Sequence, residues 1–303
     1  MNDTKEKNIK KILKKYKGNI ALKITSIIVF LTIVCFSTIF IKDIALGNIN
    51  NELKIYYLDV GQGDAIYINV NDYDVLIDAG PKSNVDKLME QLGEKNIDDF
   101  EIVIATHPHE DHIGGMTEVF SRYDIKEFYM PPVVHTTQAF ESMLNSIANE
   151  GIKAKPIKEG VHIDLGTNAS IDVYSPIDSF YEDLNDYSTI MKLTFENTKF
   201  IFTGDAESYA EKEVVAKYSK DLEGEVLKFA HHGSRTSSTD EFIKAVSPKY
   251  GIICCGENND YGHPHKETID TISKYGIDTY RTDKQGEIEL TSDGKNIFIK
   301  SEK

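Results

Sequence analysis

Beyond residue 52 the chain alternates apolar and polar positions with a period of two, which predicts strands at 54–60, 65–70 and 73–78. Asn71-Asp72, between the second and third runs, has the composition of a hairpin turn. The spacing becomes helical over 84–95 and returns to an apolar strand at 101–106. Further strands are predicted at 127–130, 153–157, 171–174, 189–195, 199–203, 225–230 and 250–254, with helices at 138–150, 206–218, 240–246 and 265–275 and two closing strands. Antiparallel hairpins interspersed with strand–helix units point to mixed sheets covered by helices, without a separate second domain.

The first fifty residues have another pattern. Residues 24–41 form eighteen positions without a charge, enough to cross a bilayer core of roughly 30 Å when flanking residues contribute. Eight lysines precede this run and only Lys42 comes soon after it, a bias that places the N-terminus in the cytoplasm. The expectation is a basic cytoplasmic segment 1–23, a retained signal anchor 24–41 and a globular domain 53–303 outside a single-pass cell membrane. A cleaved signal peptide ending near Ala45-Leu46-Gly47 is the alternative. Nine lysines and three acidic residues in 1–50 leave 25 basic and 46 acidic residues in 51–303, a net charge of −21. A polyanion meets repulsion from such a domain unless a local basic groove or bound metal reverses the field. Cys35, Cys254 and Cys255 make no disulfide framework; the adjacent pair reads as buried small hydrophobes.

Histidines carry the chemistry. Seven of the nine fall in three short clusters, HPHEDH (His107, His109, His112), HH (His231, His232) and HPH (His263, His265), each where a strand ends or a helix begins. His107 and His109 can point the same way in an extended loop, and Asp111 and His112 can turn toward a second ion. Imidazoles with a carboxylate suit zinc, manganese or iron. Asp205 in FTGDAE comes after a strand and is either an anion bridging two ions or the N-cap of the next helix. The loop Ser234, Arg235, Thr236, Ser237, Ser238 is suited to phosphate oxygens, Arg235 through its planar fork; a capped turn is its other reading. His265 is a candidate to protonate a leaving group or to hold phosphate, and Asp64 in GQGD a candidate to lie near the site.

LDVGQGDA, LIDAG, THPHEDHIGG, FTGDAE, HHGSRTSS, YGHPH and RTDKQG together resemble the metallo-β-lactamase superfamily, and within it the C-terminal hydrolase domain of ComEC-type competence proteins. The resemblance spans nearly all of 53–300. It implies a four-layer αββα sandwich with the site at one edge of the two sheets and two divalent metal ions, zinc or manganese. His107 and His109 would bind one ion and Asp111 and His112 the other. Asp205 would bridge, and His231 would complete the second site, with His232 competing for that place. Asp78 would orient a ligand. The superfamily usually has a further histidine before the bridging Asp; here the region reads NDYS, so Asn185, Asp186, Ser188 or water must fill in. Asp111, Asp205 and His265 are the expected catalytic residues.

Two close ions make a hydroxide available near neutral pH and clamp the attacked centre. The expected function is a phosphodiesterase or nuclease outside the membrane, by resemblance on single-stranded DNA during uptake. A hydrolase of teichoic-acid or phosphorylcholine esters in the cell wall is the runner-up, and a non-catalytic metal-binding envelope scaffold the third reading.

Overall fold

The computed structural model describes Lys10, Thr32 and residues 52–303. The chain divides into the units Met1–Asn51 and Glu52–Lys303. Apart from Lys10 and Thr32, the segments expected at 1–23 and 24–41 lie outside the described residues, among which no helix is long and apolar enough to cross a membrane. Every strand among the described residues lies in the second unit.

The strands β1 (Leu53–Tyr57), β2 (Ile66–Val70) and β3 (Tyr73–Ile77) form an antiparallel meander, and β3 continues in parallel to β4 (Asp99–Ile104), β5 (Asp124–Met130) and β6 (Ala154–Pro156). The chain then builds a second sheet from β7 (His162–Asp164), β8 (Ala169–Val173), β9 (Met191–Phe195), β10 (Thr198–Phe202), β11 (Val226–Lys228), β12 (Tyr250–Ile253) and β13 (Asp278–Arg281). The last two strands, β14 (Ile288–Ser292) and β15 (Ile297–Ser301), return to the first sheet, β14 pairing on β1 and β15 on β14. Among the described residues the sheets thus have eight and seven strands.

Period-two patterning explains the stacking. Leu53, Ile55 and Tyr57 of β1 are buried while Lys54 and Tyr56 between them are only half-buried. The inward residues Ile55, Ile68, Ile77 and Ile104 meet Ile171, Leu193, Phe200 and Phe202 of the other sheet in one core. Each such side chain contributes roughly 1.5–3 kcal/mol by leaving water. The outer face of the first sheet is covered by α1 (Val85–Gly93), α3 (Met116–Arg122) and α4 (Gln138–Asn149), which bury Leu88, Phe120 and Phe140; the short α2 (Glu110–Ile113) precedes α3. On the second sheet α5 (Ser208–Tyr218), α6 (Asp240–Val246) and α7 (Lys266–Tyr275) pack Val214, Phe242 and Ile272 over Ile201 and Leu227. Helix, sheet, sheet and helix make the four layers that the motifs imply.

Departures from the expected elements are local. The strand β7 escapes the sequence pattern because only Ile163 of its three residues is buried. Three strands close the chain instead of two, with α8 (Thr282–Gln285) between β13 and β14. The helix expected to start at Ala206 starts at Ser208 with Glu207 at its N-cap, so Asp205 is not the cap.

Sheet direction creates the site. β1, β3 and β4 run the same way, as do β10, β11 and β12. Chain segments that leave their carboxyl ends therefore gather at one edge of the sandwich, where open sheets bind ligands.

Candidate metal centre

The loop after β4 places His107 in the interior and His109 half-buried, with His107 Nε2 and His109 Nδ1 3.0 Å apart. One turn on, α2 presents Asp111 and the fully buried His112. Asp78, at the end of β3, fixes this arrangement. Its Oδ1 accepts the Thr106 amide at 2.8 Å, and its Oδ2 accepts the Thr106 hydroxyl at 2.6 Å and lies 2.7 Å from His112 Nδ1. That contact leaves His112 Nε2 to face inward, the arrangement in which a carboxylate orients a metal-ligating imidazole. The GQGD turn closes the floor: a Cβ on Gly63 would lie 2.2 Å from the Asp111 carbonyl oxygen, so only glycine fits.

Asp205 stands at the centre. Its Oδ1 lies 3.2 Å from His112 Nε2, while its Oδ2 lies 3.4 Å from His232 Nε2, 3.8 Å from His231 Nε2 and 3.9 Å from His107 Nε2. The Ser188 hydroxyl accepts the Asp205 amide at 3.0 Å and sets the loop. Past β11 the chain leaves strand geometry, and His231 (φ 49°, ψ 47°) and His232 (φ 54°, ψ 23°) are both left-handed. Two consecutive non-glycine residues in that region are a strained feature of the kind that clusters at functional sites. The turn sends the two rings different ways. His232 is buried, with Nε2 3.2 Å from Asp111 Oδ2 and Nδ1 2.9 Å from the Cys254 carbonyl oxygen. His231 is half-buried, and Glu207 Oε1 lies 3.1 Å from its Nδ1.

Electrostatics agree with a cation site. Burial holds the His107 and His109 imidazoles below their usual range, as neutral donors near pH 7. Burial acts the same way on His112 and His232, but Asp205 with its neighbouring carboxylates outweighs it and raises both. Burial would raise Asp205, yet His112 and His232 hold it well below the carboxylate range. The carboxylates call for positive charge between them, which protons or metal ions can supply. His112 Nε2 and Asp205 Oδ1 are buried, face each other and have no hydrogen-bond partner; Asn185 Oδ1 is likewise buried and unpartnered. Asp64, His112, Asp205 and His232 offer donor atoms all within 4.8 Å of one another. Imidazoles, carboxylates and orphaned donors converging on one cleft fit divalent ions.

The cleft has a volume of about 380 Å³, and Gln62, His109, Asp111, Asn185, His231 and Tyr261 are among its walls. Of the NDYS residues only Asn185 lines it. Asp186 accepts the amides of Glu207 and Ala210 at the start of α5, and Ser188 is engaged with Asp205. Asp64 is buried between His232 and Lys228. The Ser234 hydroxyl bonds Thr236 at 2.9 Å, and exposed Arg235 lies 3.7 Å from Glu267 in an adjoining hollow. His265 stands beside Arg235, its Nδ1 accepting the Arg235 amide at 3.1 Å. Sequence reasoning missed Glu207 and Lys228. Lys228 left a signal, since it shares an inward strand face with Val226 two positions before it.

Glu211 anchors the small-polar loop from beneath. It is fully buried, and its carboxylate accepts the amides of Ser238 at 2.6 Å and Thr239 at 2.8 Å. Burial pushes its carboxyl from 4.5 up to about 7. A folded value above the unfolded one means that its contribution is complete below about pH 4.5 and is lost as pH rises through 7. That loss amounts to roughly 3 kcal/mol. Glu211→Gln is expected to flatten the decline of unfolding free energy between pH 5 and 8 relative to the parent protein. Parallel declines in denaturant titrations would refute it.

The family model described as Metallo-beta-lactamase superfamily matches residues 58–257, a span that holds most of this cluster. ComE operon protein 3 of Bacillus subtilis (strain 168) is 29% identical over 259 residues, covering 80% of this chain and 33% of that protein. Competence protein ComA of Neisseria gonorrhoeae is 25% identical over 248 residues, covering 79% of this chain and 32% of that one. The chain thus spans about a third of the length of these two curated relatives. Among solved structures, the metallo-beta-lactamase fold protein YhfI from Bacillus subtilis superposes with a TM-score of 0.50 at 13% identity, covering 76% of this chain and 96% of that one.

Proposed function

We propose that this chain, which belongs to the metallo-beta-lactamase superfamily, is a metal-dependent phosphodiesterase whose substrate is single-stranded DNA. The observation that carries the catalytic part is the position of Asp205, with one carboxylate oxygen facing His112 and the other facing His232, His231 and His107. His107, His109 and Asn185 would hold one ion and Asp111, His112 and His232 the other, with Asp205 between them. Such ions supply a nucleophilic hydroxide near neutral pH and neutralise charge on the attacked phosphoryl group.

The residues outside the cluster supply orientation and a proton. Arg235 reaches solvent beside the site, and its guanidinium fork suits two phosphate oxygens. His265 Nδ1 accepts the Arg235 amide and its Nε2 lies 3.4 Å from Arg235 Nη2, which puts the ring beside the phosphate-binding cation as the group that would protonate a departing alkoxide. The likeness to competence proteins favours DNA. The net charge of −21 in 51–303 favours a small or wall-bound phosphodiester, whose contacts would centre on the metals.

Initial rates on single-stranded DNA and on a small chromogenic phosphodiester, across salt, separate these. On the DNA reading the DNA rate falls steeply with salt, and Arg235→Ala lowers it about tenfold, in keeping with a charged hydrogen bond of roughly 1.5 kcal/mol. Turnover of the small substrate alone would replace DNA with the wall polymer. No turnover of either by the metal-loaded protein would leave the scaffold reading.

A further inference from the structure

Lys228 is the last residue of β11 and is fully buried. Among the described residues no other lysine or arginine is buried. Its Nζ lies 2.7 Å from Asp64 Oδ2 and donates to the Phe229 carbonyl at 3.0 Å. The other oxygen of Asp64 lies 3.3 Å from His232 Nδ1, the ring nitrogen turned away from Asp111 and Asp205. Asp64 is pinned by its main chain as well, its amide donating to the Asp111 carbonyl and its own carbonyl accepting the Gly80 amide.

We infer that the buried Lys228–Asp64 pair is a positioning device for metal binding, in which Lys228 holds Asp64 against His232 Nδ1 so that Nε2 is presented to the ion. The inference rests on the metal reading of the cluster. The Cys254 carbonyl, 2.9 Å from the same Nδ1, fixes the ring plane, and Asp64 adds the negative charge that makes Nε2 a stronger donor. A lone carboxylate would be too costly to bury there, and it would be free to turn into the cluster and compete for the ion. The ammonium of Lys228 removes both difficulties. Burial would raise Asp64 and lower Lys228; Lys228 with the nearby His232 and His112 holds Asp64 low, and Asp64 with its neighbours holds Lys228 high. The pair also joins the two sheets at the site edge, so a purely structural tie is the explanation to be excluded.

The test uses the full-length protein, Asp64→Asn and the double variant Asp64→Asn/Lys228→Met, which leaves no unpaired buried charge. Zinc and manganese affinities are read by chelator competition, melting temperature in the metal-free state, and coordination from the visible spectrum of the cobalt-loaded protein. Both variants are expected to bind metal about tenfold or more weakly, the usual cost of losing an outer partner of a ligand. The double variant should regain melting temperature relative to the single one without regaining affinity, and its cobalt band shape at saturation should match the parent's. Parent-like affinity in the double variant would reduce the pair to a structural tie. An altered cobalt spectrum at saturation would make Asp64 a ligand and overturn the positioning role. Failure of the parent itself to bind any of the three metals would instead overturn the metal reading.

Discussion

Asp205→Ala is expected to strip the protein of bound metal and to lower phosphodiester hydrolysis by a factor on the order of a thousand. Ions that polarise a phosphoryl group are worth several kcal/mol, and about 1.4 kcal/mol is tenfold in rate. Among the described residues Asp205 is the one carboxylate whose two oxygens face separate histidines, at 3.2 Å to His112 and 3.4 Å to His232. Its removal therefore withdraws a donor from both positions at once, which Asp111→Ala does not. The fold should survive, because Asp205 lies at the edge of the sandwich and its amide contact with Ser188 is a main-chain one. Metal analysis, rates on a small chromogenic phosphodiester and circular dichroism on the same sample check the expectation. A folded variant that keeps its metal and its turnover would remove Asp205 from the centre of the mechanism.

His232→Ala and His231→Ala should differ sharply although the residues are adjacent. The first is expected to lower activity on the order of a hundredfold or more and to weaken metal binding, as loss of a donor does. His231→Ala should cost about tenfold or less. The ring of His232 is buried, with Nε2 toward Asp111 and Asp205 and Nδ1 backed by Cys254 and Asp64. His231 is half-buried, leans on Glu207 and stays 3.8 Å from Asp205. Its edge-on contact with His263, at 5.4 Å between ring centres, places it on the cleft wall toward HPH. Both variants can be assayed for metal content and steady-state kinetics side by side. The reverse order of effects would return the second site to His231.

Much of the architecture was legible because its causes are local. Alternation such as Leu53, Ile55, Tyr57 or Phe200, Phe202 requires one buried sheet face, and an apolar residue at Ile201 between two such positions requires cover on the other. Helix α6 was legible to the residue, since Thr239 caps it and its apolar residues are spaced to face the sheet. β7 was not legible, because three residues with one buried position carry no period.

The same division runs through the candidate site. The sequence by itself determined which donors could be gathered: imidazoles and carboxylates packed into HPHEDH, FTGDAE and HHGS at strand ends have a composition that short-range chemistry makes unmistakable. Only the tertiary structure decided which atoms meet. His231 and His232 cannot be told apart by strand alternation, because both lie in a left-handed turn where period two no longer holds. Asn185, Asp186 and Ser188 were equal candidates in the chain. In the fold, Asp186 is spent on the amides of α5 and Ser188 on Asp205, which leaves Asn185 facing the cleft. Lys228 is marked in the chain only by sharing an inward strand face with Val226, and its partner Asp64, 164 positions earlier, is found only in the fold, 2.7 Å from its ammonium. Such pairings depend on the direction of strands from two different sheets, and no local spacing encodes that.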